Sequence, residues 1–121
     1  MKLIPLLRCN NLKEAVVFYT TILDFKLKYP ENSENEWVIA LTHGDAEILL
    51  ASMDGTPRTA IYVSVSDVDT AYEKYVSRGL ILPNNPDSPV HNSPIDQTWG
   101  LREFYINDPG GNTLRFATPI K

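Results

Sequence analysis

The sequence predicts an α+β fold, built from two βαβββ modules that follow each other in one chain of 121 residues. Three observations support this prediction. A strand-like segment followed by an amphipathic helix occurs twice, and Leu12 of the first helix aligns with Val68 of the second. Three further strand-like runs, separated by turn residues, follow each helix. Hydrophobic residues make up 43% of the chain and charged residues 21%, which is typical of a folded globular domain.

The first module covers about residues 1–55 of a single predicted domain, 1–121. Its helix, predicted over 11–23, follows two good N-cap residues, Asn10 and Asn11. The helix is indicated by apolar residues at helical spacing: Leu12, Ala15, Val16, Tyr19 and Leu23. Strands are predicted over 3–8, 25–29, 37–42 and 46–51, with a tight turn at His43-Gly44-Asp45 between the last two.

The second module covers about residues 58–121 and repeats this order. Its helix begins behind Ser66 and Asp67 and ends at Gly79, where a left-handed C-terminal residue is expected. Strands are predicted over 60–65, roughly 80–82, 101–106 and 113–118, with a turn over 108–112. The connection 83–98 contains four prolines, which indicates either a functional loop or a tolerant surface segment.

Alternation along the strands predicts which sheet face each residue occupies. We expect one set to pack against the helices, because burial of apolar area is most favourable there: Ile48, Leu50, Ile61, Val63, Val65, Leu114 and Phe116. The opposite face then carries Ile4, Leu6, Arg8, Leu49, Ala60, Tyr62 and Arg115. Its mixture of apolar and polar residues is typical of a concave small-molecule site, and a face that rests on a partner subunit is the alternative.

Charge and composition exclude several classes of function. The formal net charge is −4 and the basic residues are scattered, which argues against nucleic acid as a partner and favours cationic or neutral ligands. Cys9 is the only cysteine, so an intrachain disulfide is excluded. The first residues lack the pattern of a signal peptide, and no segment is apolar enough to span a membrane. The sequence therefore predicts a cytoplasmic protein that does not associate with membranes.

Three segments resemble one protein family. The runs 3–27 and 60–75 are similar to the strand–helix segments of bleomycin-resistance proteins and glyoxalases, and 98–116 carries a WGxREF…DPxGNxLxF pattern similar to their closing hairpin. The chain thus resembles the bleomycin-resistance branch of the vicinal oxygen chelate (VOC), or glyoxalase/bleomycin resistance/dioxygenase, superfamily. The resemblance implies curved mixed sheets with the helices outside, and a homodimer in which modules often pair across subunits.

The same resemblance bears on metal chemistry. Enzymatic members hold one divalent metal through His or Glu side chains on the opening and closing strand of each module. Those places align with Ile4, Leu49, Ala60 and Arg115, none of which is a metal donor. We therefore predict no metal, no cofactor and no catalytic residues. His43 and His91 lie in predicted loops and are expected to be solvated.

Two other candidates for chemistry are weak. Cys9 has no histidine placed by spacing to activate it as a nucleophile. Arg102 and Glu103 are neighbours on a strand, hence on opposite faces, and are expected to be ordinary structural charges.

The aromatic residues favour binding. Trp37 and Trp99 occupy places similar to those of the aromatic side chains that hold flat parts of an antibiotic in drug-binding members, with core packing as the alternative for each. The predicted ligand-binding residues are Trp37, Trp99, Arg115, Leu49, Tyr62 and Arg8. The predicted function is metal-free sequestration of a planar, cationic small molecule such as a bleomycin-like antibiotic. A metal-dependent lyase, isomerase or dioxygenase with a rearranged site, or a binder of an endogenous metabolite, remains as an alternative.

Overall fold

The computed structural model of the chain describes residues 1–30, 37–52, 58–81 and 93–120. The chain forms two compact units. The first unit comprises Met1–Thr59 together with Asp108–Asn112, and the second comprises Ala60–Asn107 together with Thr113–Lys121. Each unit contains one α-helix and one four-stranded mixed sheet, which confirms the predicted α+β class.

The first unit begins with a strand and a helix and continues with three strands. Its elements are β1 (Leu6–Cys9), α1 (Leu12–Thr21), β2 (Lys26–Leu27), β3 (Val38–His43) and β4 (Ala46–Ser52). The strand order in the sheet is β1-β4-β3-β2, so β1 lies at an edge. β1 is parallel to β4, and the other pairs are antiparallel.

The second unit has the same order of elements. They are β5 (Ala60–Ser64), α2 (Val68–Ser77), β6 (Ile95–Asp96), β7 (Leu101–Asn107) and β8 (Thr113–Pro119). The sheet order is β5-β8-β7-β6, again with one parallel pair, β5 and β8. The two units therefore share one topology, and the predicted βαβββ repeat is confirmed.

Both helices begin where their capping residues predict. The Asn11 side chain accepts a hydrogen bond from the backbone N–H of Glu14 at 2.9 Å, which satisfies an N–H that the helix itself leaves unpaired. Asp67 caps α2 in the same way, and Gly79 follows that helix with φ +95°, as expected for its left-handed position. Each helix has 10 residues, and no helix in the described ranges is long and apolar enough to cross a membrane.

Three strand predictions need correction. β1 begins at Leu6 instead of residue 3, because Pro5 has no N–H to donate, although its carbonyl still accepts from the Leu49 N–H at 2.9 Å. The predicted strand 25–29 is reduced to the two residues of β2. Leu80 is also not in a strand, since its N–H donates to the Tyr75 carbonyl at the end of α2.

The strand predicted over 80–82 is replaced by β6. This strand lies within the stretch 83–98, which we predicted as a connection, and it pairs Ile95 with Glu103 of β7. Residue 82 and most of that stretch, 83–92, lie outside the described residues.

Aromatic contacts define the helix-facing side of the second sheet. The Phe104 and Phe116 rings stack with centroids 5.0 Å apart, and Tyr75 of α2 lies 5.3 Å from the Phe116 ring. Phe104 also contacts Tyr72, another residue of α2, at 5.4 Å. These contacts confirm that Phe116 faces the helix, so the neighbouring positions along β8 face away from it.

The turn 108–112 forms a buried hydrogen-bonded cluster within the first unit. The Tyr19 hydroxyl donates to Asp108 at 2.7 Å, and the backbone N–H of Asn112 donates to the same carboxylate at 2.8 Å. The Asn112 side chain donates to the Arg8 carbonyl at 2.8 Å and accepts from the Thr59 N–H at 2.9 Å. The segment is therefore more than the tight turn that its sequence predicts, because it contacts α1 through Tyr19 and β1 through Arg8.

Close packing explains the glycine at position 110. A Cβ atom there would lie 2.6 Å from the Arg8 carbonyl oxygen, a distance that no side chain tolerates.

The Tyr19 hydroxyl in the same cluster remains protonated. Burial, followed by the charge of Asp108, raises the pKa of Tyr19 far above its ordinary value, so its hydroxyl remains a donor.

Candidate functional site

Three polar residues lie side by side across the sheet of the second unit. Strand pairing places Tyr62 of β5 opposite Arg115 of β8, and Arg115 opposite Tyr105 of β7. Because Phe116 faces α2, its neighbour Arg115 projects from the other face of the sheet. The row Tyr62–Arg115–Tyr105 therefore occupies the face on which the sequence predicted a ligand.

The Arg115 guanidinium lies between the two tyrosine rings. Its Cζ atom is 4.1 Å from the centroid of Tyr62 and 4.5 Å from that of Tyr105. Both distances are within the range of cation–π attraction, and the planar guanidinium stacks well on aromatic faces. Two of the three residues, Tyr62 and Arg115, were predicted as ligand-binding residues, and the structure brings them into contact.

A buried carboxylate holds the end of the guanidinium. Arg115 Nη2 donates to Glu103 Oε1 at 2.9 Å and to Oε2 at 3.3 Å, and the Glu103 side chain has no exposed surface. The Tyr105 hydroxyl makes a longer contact of 3.4 Å with the same carboxylate. A carboxylate buried this deeply is tolerated because a cation and a hydroxyl compensate for lost hydration.

The sequence placed Arg102 and Glu103 on opposite faces, and the structure confirms this. Arg102 lies on the helix side, where it pairs with Asp69 at 2.9 Å and with Asp96 at 3.1 Å. Glu103 is paired with Arg115, on the face where the sequence predicted a ligand. Glu103 lies two residues before Tyr105 on the same strand, so the two side chains must share a face. This spacing was the signal in the sequence that places Glu103 in the cluster.

Two groups in this cluster, Tyr105 and Arg115, have shifted pKa values. Burial, and then the charge of Glu103, raises the pKa of Tyr105, so its phenol remains protonated. For Arg115, burial disfavours the charge, but the hydrogen bond to Glu103 and the nearby phenols and carboxylate raise its pKa overall. The site therefore presents the guanidinium cation of Arg115 beside the protonated phenol of Tyr105.

The corresponding face of the first unit is mainly apolar. Strand pairing there aligns Leu6, Leu49 and Ala40 across β1, β4 and β3. The two remaining predicted residues of this face, Leu49 and Arg8, are both half-buried. A charged cluster lies at the far end of the same face, where the buried Glu47 accepts from Lys28 at 3.0 Å and from Lys2 at 3.1 Å.

Both tryptophans are exposed. Trp37 lies directly before β3 in the first unit and is 73% exposed, while Trp99 lies shortly before β7 in the second unit and is 56% exposed. Their backbones are fixed locally: the Trp37 carbonyl accepts from the Ser52 N–H at 2.8 Å, and Trp99 precedes Gly100, whose φ is +88°. Neither indole belongs to the core of its unit, so the alternative of core packing is wrong for both.

The residues at the aligned metal positions do not fit a metal ion. Ile4, Leu49 and Ala60 have no donor atoms, and the Arg115 guanidinium is itself a cation. In the parts of the chain that the structure describes, no group of three or more His, Cys, Asp or Glu residues is arranged to hold a metal.

The other candidates for chemistry are constrained by their surroundings. Cys9 is buried and its thiol contacts the Ala51 carbonyl at 3.5 Å. Burial, followed by the charge of Asp108, raises the thiol pKa, which makes Cys9 a poor nucleophile. The His43 ring packs 5.5 Å from that of Phe25, and His91 lies outside the described residues.

The sequence matches the model of one protein superfamily. The family model of the glyoxalase/bleomycin resistance protein/dioxygenase superfamily matches residues 4–116. The chain belongs to this superfamily. A bleomycin resistance protein from Geobacillus stearothermophilus is 25% identical over 134 aligned positions, which cover 98% of this chain and 96% of that protein.

Solved structures of the superfamily share the fold. A bleomycin-binding protein in complex with bleomycin superposes with a TM-score of 0.79 at 19% identity, covering 99% of both chains. A lactoylglutathione lyase from Agrobacterium tumefaciens superposes with a TM-score of 0.71 at 15% identity, covering 97% of this chain and 92% of the other. Because binding proteins and enzymes both have this fold, the function of the chain must be argued from its own residues.

Proposed function

We propose that this superfamily member binds a planar small molecule of the bleomycin type and sequesters it without chemical conversion. The observation that carries the proposal is Arg115. It stands at a position where enzymatic members place a metal ligand, yet it is clamped between Tyr62 and Tyr105 and paired with Glu103. A fixed cation at that position disfavours a divalent ion and leaves a site built for recognition.

Exposed aromatic side chains on each unit support a planar ligand. Trp37, Trp99 and Tyr62 are each more than half exposed, and the flat face of such a ring stacks favourably on a planar ligand. The curated relatives named bleomycin resistance protein, which align over 98% of the chain, favour an antibiotic of this class. The net charge of −4 favours a ligand with positive charge at long range.

The proposal is tested by titrating the purified protein with bleomycin while following tryptophan fluorescence. Trp37→Ala and Trp99→Ala should each weaken binding by about 2 kcal/mol, the loss expected of an aromatic hot spot, or roughly thirtyfold in Kd. Thermal stability should change little, since neither indole is in the core. Tyr29→Ala, another half-exposed aromatic on the first unit, is the matched control and should leave Kd unchanged.

Absence of saturable quenching in the parent protein contradicts the proposal. Elemental analysis addresses the rival enzyme hypothesis, a lyase, isomerase or dioxygenase with a metal site of other residues. About one zinc, nickel, iron or manganese ion per chain that survives mild chelation favours that hypothesis, whereas the proposal expects no stoichiometric metal.

We also propose that the chain acts in the cytoplasm, as one domain, and as a homodimer. The position of β1 at the edge of its sheet, preceded by Pro5, leaves this edge available for a second subunit. Sedimentation at micromolar concentration should give about 27 kDa, twice the chain mass of 13.6 kDa. A single species at the monomer mass contradicts the dimer.

A further inference from the structure

The Arg115 side chain has one polar atom that the protein does not satisfy. Its Nε is buried, and in the described part of the chain it has no hydrogen-bond partner, whereas Nη2 donates to Glu103. A buried N–H without an acceptor is costly, and such groups are rare in native proteins. A guanidinium held this firmly, with a donor left over, is typical of a recognition site for an oxygen acceptor.

The surroundings keep this donor in place. Glu103 accepts two hydrogen bonds from Nη2, and the rings of Tyr62 and Tyr105 lie 4.1 Å and 4.5 Å from the Cζ atom of the guanidinium. Tyr62 is 60% exposed, so the surface of its ring is accessible to a planar ligand. Tyr105 is half-buried and forms the fixed side of the sandwich.

We infer that Arg115 is an acceptor-binding subsite, which donates hydrogen bonds to a carboxylate or carbonyl oxygen on a planar ligand whose ring packs beside Tyr62. This inference rests on the proposed function and gives the ligand a chemical class: a flat ring that carries an oxygen acceptor. The guanidinium of Arg115 has only hydrogen-bond donors, so the subsite selects acceptors. Because Glu103 balances its charge, the subsite does not act as a strongly positive patch.

The subsite and the overall charge act over different distances. At physiological ionic strength, charges more than about 8 Å apart are largely screened, so the net charge of −4 influences approach more than contact. A ligand with a positive charge elsewhere is therefore compatible with an acceptor oxygen at Arg115. A simple anionic ring is the more demanding probe, because the overall charge of the protein disfavours it.

The experiment compares two probes that share one ring, 2-naphthoate and 2-naphthylmethylammonium, by isothermal titration calorimetry on the full chain. The parent protein should bind 2-naphthoate about tenfold more tightly, the effect expected of one hydrogen bond to a charged group. This preference should fall to less than about twofold in the double variant Arg115→Leu/Glu103→Val. Arg102→Gln, on the other face of the same sheet, should keep the full preference.

The double variant is chosen because it removes both charges at once and leaves no unpaired carboxylate to unfold the protein. A parent protein that binds both probes equally, or neither, overturns the inference. So does a double variant that melts like the parent and keeps the tenfold preference.

Bleomycin titration of the same samples separates this inference from the proposed function. Bleomycin binding without a preference for 2-naphthoate means that the function stands and the subsite is wrong. A preference that depends on Arg115, without bleomycin binding, means that the subsite is real and the proposed antibiotic is not its ligand.

Discussion

The two units have one topology but carry different chemistry on equivalent positions. Strand pairing makes Leu6, Leu49 and Ala40 of the first sheet the counterparts of Tyr62, Arg115 and Tyr105 of the second. The first row is apolar throughout, whereas the second is an aromatic and charged cluster. A repeated fold therefore does not imply repeated chemistry, and of these two rows only that of the second unit contains a cation.

The buried glutamates of the two sheets, Glu47 and Glu103, differ in the same way. Glu103 corresponds in register to Val38, lies fully buried in the middle of its sheet and is paired with one arginine. Glu47 lies at the end of its sheet, where it is paired with two partly exposed lysines, Lys2 and Lys28. The lysine partners of Glu47 are 54% and 37% exposed, whereas the arginine partner of Glu103 is 23% exposed, so water reaches the first cluster more easily.

The largest expected effect comes from breaking the pair in the second unit. Arg115→Leu gives that position the side chain of Leu49 and leaves Glu103 as a buried, unpaired charge. Unfolding free energy measured with urea should fall by about 3–5 kcal/mol. Adding Glu103→Val, the counterpart of Val38, should restore stability to within about 1 kcal/mol of the parent, because a well-packed apolar pair replaces an ion pair at little cost.

Arg102→Gln is the control, since it removes an arginine from exposed ion pairs on the helix side of the same strands. It should cost less than about 1 kcal/mol. If the single Arg115 variant is no less stable than this control, the Glu103 carboxylate does not depend on Arg115 and the contrast between the units is smaller than the structure indicates.

The features that could be predicted from the sequence are those set by local chemistry. Asn11, Asp67 and Gly79 define helix ends through backbone hydrogen bonds and conformation, which depend on neighbours a few residues away. The alternation along β8 likewise separated Phe116 from Arg115 correctly. Long apolar strands and capped helices were therefore found close to their true bounds.

The features that were missed depend on contacts distant in sequence. The Glu103–Arg115 pair depends on the register between β7 and β8. The turn 108–112 determines this register, but the alternation within each strand does not reveal it. The two residues of β6 are too few for a periodic signal, and the apolar run at 80–82 was the more conspicuous candidate. Whether Trp37 and Trp99 are exposed was similarly undecidable from composition, because indoles occur both in cores and on surfaces.

The hairpin turns β3–β4 and β7–β8 differ in their burial. The turn between β3 and β4 is exposed, and a Cβ added to Gly44 would meet no atom within 4 Å. The equivalent turn between β7 and β8 is buried in the first unit through Asn112 and Asp108. Asn112→Ala should lower the unfolding free energy by about 3 kcal/mol, because it leaves the Arg8 carbonyl and the Thr59 N–H without their partner.

The matched control is Asp45→Ala in the exposed turn, which should cost less than about 0.5 kcal/mol. Urea denaturation at pH 7 measures both values. Equal effects of the two substitutions would mean that the turn 108–112 is a simple surface connection. Its hydrogen bonds would then contribute nothing to the unfolding free energy.

The smallest effect is expected at Glu47, where the contrast between the carboxylates becomes a difference in pH dependence. Hydrogen bonds from Lys28 and then Lys2 lower the pKa of Glu47 below its ordinary value. The ionised carboxylate therefore stabilises the folded state above its unfolded pKa, and this stabilisation is lost as pH falls through the folded pKa. The hydrogen bond that Lys28 donates to Glu47 raises the pKa of Lys28, so the contribution of that lysine is lost only as pH rises through its raised folded pKa.

Glu47→Gln should therefore lower the melting temperature slightly at neutral pH, and the difference from the parent should vanish in acid and shrink in strong alkali. High salt should also reduce it, because the lysines are partly exposed. Glu73→Gln on the exposed side of α2 controls for the loss of one negative charge. Melting curves recorded from acid to alkaline pH give the result, and a difference that persists unchanged in acid would show that Glu47 stabilises the unit by packing and not by its charge. The pair in the second unit should show no alkaline loss of this kind, since its cation is an arginine, which stays protonated at every pH that the folded protein survives.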